Sequence, residues 1–342
     1  MIRAKKIAIV ILSILILTLT SCGLYINHKL NSMLNNIEKE SEIAKEDANI
    51  SDEALEQIKE KNVVNIALFG ADNSNGGNNG NGTERSDAIK IVSLDFTDKK
   101  IKITSLERDV VVYIPGDYNK YGHFNWAYWF GGPELAVKTI NYNMDLDITQ
   151  YVTFSMNAVQ HLINLIDGVE VELSEGEAGL LCQQAQVSHL HAGLNTLYGN
   201  EAMYYCRLRE IGSDFARMDR QNVVIDAIIQ KLKNQNLNDL LYITNEMLDY
   251  VRTNLSNDDI KSYLMSLLSF DLSNIETYKA PSGEYDDIQN CPGLGGYIVR
   301  SYSDMVKEVH MNIYDNLNYK PSQTVIDNEK RTYEEFGEFT KQ

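Results

Sequence analysis

The chain has 342 residues, 44% of them hydrophobic, enough to bury one large core or one core with a small satellite. Its 31 basic and 48 acidic side chains leave a formal net charge of −17, which excludes general nucleic-acid binding, since that needs a basic face to displace counterions. A local anion site stays open, because four of the scarce arginines (Arg207, Arg209, Arg217 and Arg220) crowd into YYCRLREIGSDFARMDRQ at 204–221.

In chain order, the first 26 residues place Arg3, Lys5 and Lys6 before about twenty uncharged residues, enough for a helix to cross ~30 Å of hydrocarbon. The positive-inside rule keeps this N-terminus in the cytoplasm and puts the rest outside. Leu19-Thr20-Ser21-Cys22 also reads as a lipoprotein cleavage box with Cys22 lipidated; a signal anchor or an acyl anchor tethers the domain equally. Residues 27–61 are polar, lack Pro and Gly, and predict a stalk. The folded domain is expected over 62–317, and a loose polar tail over 318–342.

Residues 63–70 (VVNIALFG) form a near-continuous apolar run, as in a strand buried on both faces, ending at Ala71-Asp72. Residues 73–84 (NSNGGNNGNGTE) are a loop by composition and lack the Gly-Lys-Ser/Thr of a P-loop. Residues 85–94 alternate as a half-buried strand, and 101–114 predict a third, interrupted by Glu107-Arg108-Asp109. Gly131-Gly132-Pro133-Glu134 opens a helix, Pro suiting its first turn. A strand at 148–154, a helix at 155–166 and a strand at 169–173 follow. A further helix runs from Asp214, its N-cap, to about Leu232, with Val224, Ile225, Ile228, Ile229 and Leu232 on its core face. Residues 235–313 read as helices with a short strand or two. Such alternation implies an α/β sandwich with a mixed sheet.

Beyond Cys22, an oxidising compartment permits a Cys182–Cys206 disulfide, and buried free thiols suit the same sequence. His189 and His191 read as loop residues, not metal ligands. The aromatics Phe124, Trp126, Tyr128, Trp129 and Phe130 suit a core or lipid-channel wall better than a sugar platform.

The arginine cluster carries the chemistry. If 204–209 is a strand, Arg207 and Arg209 share a face; if the helix-like 199–203 continues, they diverge at its end. On the next helix Arg217 and Gln221 are four apart and share a face, with Arg220 beside them. Guanidinium forks and a helix N-terminus suit phosphate oxygens, and several arginines at one spot call for a multivalent anion such as pyrophosphate. The alternative is a solvated network with neighbouring carboxylates. Asp72, Asp87 and Asp109 at strand ends favour the site, since ligands gather there in α/β folds. Two carboxylates beside a pyrophosphate make a seat for Mg²⁺.

Taken together, Gly70-Ala-Asp72, Arg85-Ser-Asp87, Ser105-Leu-Glu-Arg108-Asp109, Asn125-Trp-Ala-Tyr128, Asp167-Gly168-Val169, Gly193-Leu-Asn-Thr-Leu197-Tyr-Gly199 and the arginine stretch resemble the LytR-CpsA-Psr cell-wall proteins of Gram-positive bacteria. The motifs run collinearly from about residue 63 to 232. The resemblance implies a three-layer α/β/α sandwich with an apolar lipid channel. It also implies a phosphotransferase that moves a glycopolymer from a polyprenyl-pyrophosphate carrier to peptidoglycan at the outer face of the cell membrane. By that resemblance Asp72 and Asp87 hold Mg²⁺. Arg85, Arg108, Arg207, Arg209, Arg217 and Gln221 bind the pyrophosphate with Arg220 and Asn125 nearby. Asp109 and Asp214 orient arginines, and Asp109 is a candidate base. Glu107 stands where the family often has Pro, and His123 where it often has a basic residue. Two other functions use the same residues: a polyprenyl-pyrophosphate hydrolase with water as acceptor, and a non-catalytic anchored module that binds lipid-linked polymer.

Overall fold

The polar segment expected to stand off as a stalk is built into the domain. In this computed structural model, which describes residues 32, 34, 35, 37–71, 85–208, 210–212, 214–267, 269, 270, 275–283 and 287–340, Glu38–Lys39 (β1) adds an edge strand to the central sheet. Asp52–Ile58 (α1), capped by the Ser51 hydroxyl, follows. Ile43, Ala48 and Ile58 are buried in the main core, so isolated apolar residues in a polar stretch are enough to dock it. The signal anchor or lipoprotein signal expected at the N-terminus lies outside the described residues; among those described, no helix is long and apolar enough to cross a membrane.

Val63–Ala71 (β2) and Ser86–Asp95 (β3) pair antiparallel at the centre, Val63 opposite Asp95 and Ala71 opposite Ser86. Lys100–Leu106 (β4) continues the meander. The interruption at Glu107-Arg108-Asp109 ends that strand outright: Val111–Ile114 (β5) pairs instead with Lys120–His123 (β6) in a separate hairpin. Phe124–Met144 (α2) starts seven residues ahead of the expected Gly131, directly after His123, and kinks at Gly131 and Gly132. Gly132 has φ +66°, a conformation that favours glycine, and Pro133 restarts the helix.

Gln150–Ser155 (β7) lies parallel to β2, and Met156–Leu165 (α3) follows with Ser155 as its cap. Val169–Leu173 (β8) and Gly193–Leu197 (β9) form a hairpin apart from the main sheet, with Glu175–Ala185 (α4) between them. Gly199–Arg207 (α5) resolves the strand-or-helix alternative in favour of helix. Asp214–Lys233 (α6) matches its expected span. Leu237–Met247 (α7), Val251–Thr253 (β10), Asn257–Leu267 (α8) and Glu276–Ala280 (β11) complete a seven-stranded mixed sheet of order β1-β10-β7-β2-β3-β4-β11. A last hairpin joins Ile288–Asn290 (β12) to Tyr297–Val299 (β13).

Tyr302–Tyr314 (α9) and Gln323–Phe336 (α10) close one face of the sheet with α2, around Phe69, Ile91, Ile140 and Val306. The expected loose tail is thus a packed helix, its Ser322 cap hydrogen-bonded to Asp145. On the other face Val92, Leu94, Ile101 and Ile103 meet Ile225 of α6 and Tyr263 and Leu267 of α8. A separate apolar cluster joins β8 and β9 to α3–α6. Cys182, Cys206 and Cys291 are free thiols, so the disulfide alternative does not hold.

One buried base sets a pH limit. His310 of α9 lies fully buried, stacked on Tyr319 at 3.5 Å, with Nε2 donating to the Met144 carbonyl at 3.0 Å. Burial pushes its pKa down to about 4. The unfolded chain takes up that proton near pH 6.5 and the folded one only near 4, so stability is lost as pH falls across that window, by about 3 kcal/mol in all. Melting temperatures of wild type and His310→Phe between pH 7 and 4.5 test this: the wild type should lose more.

Candidate functional site

The carboxyl ends of β2 and β4 and the start of β3 lie together at one edge of the sheet, because Ala71 pairs with Ser86 and Ile89 with Leu106. There the chain turns through Glu107-Arg108-Asp109, and α6 crosses with Arg217 and Gln221 on one face. These elements enclose a narrow crevice of about 10 Å³ lined by Asp87, Lys90, Ser105, Arg108, Arg217 and Gln221. That volume admits a single water, so a larger anion has to sit at the mouth, with the side chains below it.

Arg108 ion-pairs with Asp87, and its Nε donates to Asp109 Oδ2 at 3.2 Å. Asn125, buried at the start of α2, donates to Asp109 Oδ1 at 3.2 Å, and its own amide bonds the Arg108 carbonyl. Asp109 is thus held between an arginine and an amide, which fits the orienting role. Glu107 is fully buried, and its carboxylate accepts the Asp109 amide N–H at 3.2 Å. It fastens the turn by side chain where proline would stiffen it by ring.

His123 caps α2 beside this turn, its Nε2 at 3.0 Å from the Gly295 carbonyl. Gly296 makes the approach possible, since a Cβ there would fall 2.2 Å from the Asp109 carbonyl and 2.6 Å from His123 Nε2. Burial pushes the His123 pKa below the ordinary histidine value, so near neutral pH this ring adds no positive charge.

Arg217 is only 4% exposed, deep for a guanidinium. Arg220, three residues on, turns away: it donates to the carbonyls of Leu208 (2.6 Å) and Ile211 (3.1 Å) and lies 3.6 Å from Glu177. The expected pyrophosphate ligand instead ties down the loop between α5 and α6. Replacing Arg220 with Met should therefore cost about 2 kcal/mol of stability through the orphaned carbonyls, seen in denaturant melts, while Arg217 substitutions act mainly on turnover.

Arg85 is exposed and stacks on the Trp129 ring at 4.9 Å. Arg207, also exposed, lines a second cleft of about 110 Å³ with Asn157, Gln160, Asn200, Met203 and Tyr204. Of the expected aromatics, Phe124 and Tyr128 are core, and Trp126 and Phe130 pack at its margin. His189 Nε2 sits 3.3 Å from a Glu201 carboxylate oxygen. Asp72 and Arg209 lie outside the described residues, and Asp214 opens α6 without a described side chain.

Asp87 bears on the metal question. Its carboxylate is 35% exposed at the crevice rim, a hard oxygen donor of the kind Mg²⁺ takes, with one oxygen on Arg108. Among the described residues the acidic trio close enough to hold an ion is Asp95, Asp98 and Asp315, at the far end of β3. There Lys102 Nζ pairs with Asp315 at 2.7 Å, and Asp95 accepts the Thr97 and Asp98 amides as a turn.

Lys90 escaped the sequence reading. It is 3% exposed, donating to Ser105 Oγ and Asn222 Oδ1, both at 2.7 Å. Burial pushes its pKa down to about 8. A lysine in an alternating strand signals a solvent face, and only the position of α6 makes this one internal.

A family model described as LytR_cpsA_psr matches residues 22–324. The polyisoprenyl-teichoic acid–peptidoglycan teichoic acid transferase TagU of Enterococcus faecalis (strain ATCC 700802 / V583) is 30% identical over 217 residues, 62% of this chain and 68% of the relative. The corresponding transferase TagT of Bacillus subtilis (strain 168) is 30% identical over 238 residues, 67% of this chain and 70% of the relative. A solved structure of TagT bound to LIIa-WTA superposes with a TM-score of 0.61 at 25% identity, covering 82% of this chain and 97% of that one. With the family model spanning most of the sequence, the chain belongs to the LytR-CpsA-Psr family.

Proposed function

We propose that this chain is an extracytoplasmic phosphotransferase, tethered by its N-terminal segment, that moves a glycopolymer from a polyprenyl-pyrophosphate carrier to peptidoglycan. The observation that carries it is the convergence of Arg108 and Arg217 on one crevice at the strand ends, in a chain whose relatives are named teichoic acid transferases. Phosphoryl transfer asks a protein chiefly for positioning and charge neutralisation, which buried guanidiniums provide.

In this reading the pyrophosphate sits at the crevice mouth, its oxygens taken by Arg108, Arg217 and Gln221, with Arg85, Arg207 and Arg209 as the further arginines that neutralise its charge. A wall hydroxyl forms a bond to the phosphorus nearest the polymer. The bond from that phosphorus to the bridging oxygen breaks, and its electron pair leaves with polyprenyl phosphate. Asp109 takes the hydroxyl proton, and Arg108 holds that carboxylate in place. Mg²⁺, with Asp72 and Asp87 as its carboxylates, would add neutralising charge on the phosphate oxygens.

The test is to incubate the full chain in detergent with a polyprenyl-pyrophosphate-linked saccharide and peptidoglycan fragments, with and without Mg²⁺. Saccharide on the fragments, dependent on Mg²⁺, is the expected result. Phosphorylated saccharide released to water would make the protein a hydrolase, and tight binding with no product would make it a non-catalytic module.

A further inference from the structure

On the sheet face that packs α6 and α8, cross-strand partners run Leu94–Ile101, Val92–Ile103, then Lys90–Ser105. An apolar column therefore ends, at the site, in a buried ammonium. Both of its hydrogen bonds go to neutral oxygens, Ser105 Oγ and Asn222 Oδ1, and Ser105 also donates to Asn222 Oδ1 at 3.2 Å. The other deeply buried lysine, Lys102, differs, for its Nζ reaches the Asp315 carboxylate at 2.7 Å. Removing a charge from water is costly unless an opposite charge compensates. Among the described residues no carboxylate hydrogen-bonds Lys90, and its chain lines the crevice that Arg108 and Arg217 border.

We propose that Lys90 is a buried counter-charge for the donor's pyrophosphate, a positioning residue that fixes Ser105 and Asn222 beneath the anion and adds positive potential from behind the arginines. The inference rests on the pyrophosphate reading of the crevice. Low permittivity between the ammonium and the mouth makes such a charge effective without contact. The other charged or titratable groups around it are Cys206 of α5, Asp219 and Asp226 of α6, and Asp87, Glu107, Arg108 and Arg217 along the crevice. Burial pushes the Cys206 thiol up to about 12, so it stays protonated.

Titration calorimetry of farnesyl pyrophosphate with the full chain in detergent tests this. At pH 7, Lys90→Met should weaken binding by about tenfold, a modest effect for one unit charge in a partly buried setting. Asn222→Asp, which removes no heavy atom and sets a carboxylate on the ammonium, should weaken it similarly. It decides the matter if Lys90→Met does not fold. With the Lys90 pKa near 8, the wild-type advantage over Lys90→Met should shrink as pH rises from 7 to 9.5. A purely structural strut would show no such trend.

Arg217→Ala is the control. If it loses binding while Lys90→Met and Asn222→Asp bind like wild type, Lys90 is a strut and the proposal is wrong. If Arg217→Ala also binds like wild type, or wild type does not bind, the pyrophosphate reading fails and takes this inference with it.

Discussion

Arg217→Ala is expected to lower turnover by ~10²–10³, the loss seen when one preorganised donor to a developing anion is removed. Arg217 is buried within one turn of Gln221 and lines the same crevice as Arg108, so its guanidinium is fixed before substrate arrives. Preorganised charge of this kind lowers the barrier because little reorganisation is needed during reaction. The loss should appear in KM as well as kcat, because the same guanidinium holds the pyrophosphate in the ground state and in the transition state. Arg217→Lys should recover only part of it, since an ammonium cannot present the planar fork that two phosphate oxygens need. Steady-state kinetics, with melting temperature as the folding control, check this. A folded Arg217→Ala with near wild-type turnover would remove Arg217 from the mechanism.

The largest stability loss is expected from Phe69→Ala, about 3–5 kcal/mol. Phe69 is fully buried in β2, the strand paired on both sides at mid-sheet, and its ring lies 5.3 Å from that of Tyr128 in α2. Truncation removes a large apolar contact and leaves a cavity between sheet and helix that neither can close without breaking register. In a chain of this size the melting temperature should drop by roughly 5–10 °C. The folded fraction at low temperature should keep turnover within a few-fold of wild type, because the ring lies within the core and not at the strand end. A drop below about 2 °C would show that this part of the core tolerates the cavity.

Much of the sheet was legible because its strands carry their own signal. Residues 63–71 are apolar but for Asn65, 86–95 and 169–173 alternate, and the α6 positions Val224, Ile225 and Ile228 repeat at helical spacing. What failed depended on tertiary neighbours. Ile43, Ala48 and Ile58 are too sparse to mark a docked segment, and only the completed core gives them a place. Glu107-Arg108-Asp109 looked like an interruption within one strand because sequence does not say which sheet a strand joins. The start of α2 was hidden by the Gly131-Gly132 pair, which reads as a beginning but is a kink.

At the site, Arg108, Asp109, Arg217 and Gln221 were readable as a group, and the fold places them around one turn and one helix face. Arg220 was indistinguishable from Arg217 in sequence. Three residues apart on a helix the two side chains leave the axis only about 60° from each other, and it is the loop between α5 and α6 that draws Arg220 to the Leu208 and Ile211 carbonyls. Lys90 was invisible for the converse reason, since nothing local announces that a helix covers that face.

The most direct test of phosphoryl transfer at the arginine crevice is the identity of the lipid by-product. Mass spectrometry of the polyprenyl species left after transfer to peptidoglycan distinguishes which bond broke. Attack at the phosphorus nearest the polymer leaves polyprenyl monophosphate and places a phosphodiester on the wall, and this is the predicted result. Polyprenyl pyrophosphate as the by-product, with sugar joined to the wall without phosphorus, would mean cleavage at carbon and would contradict the account.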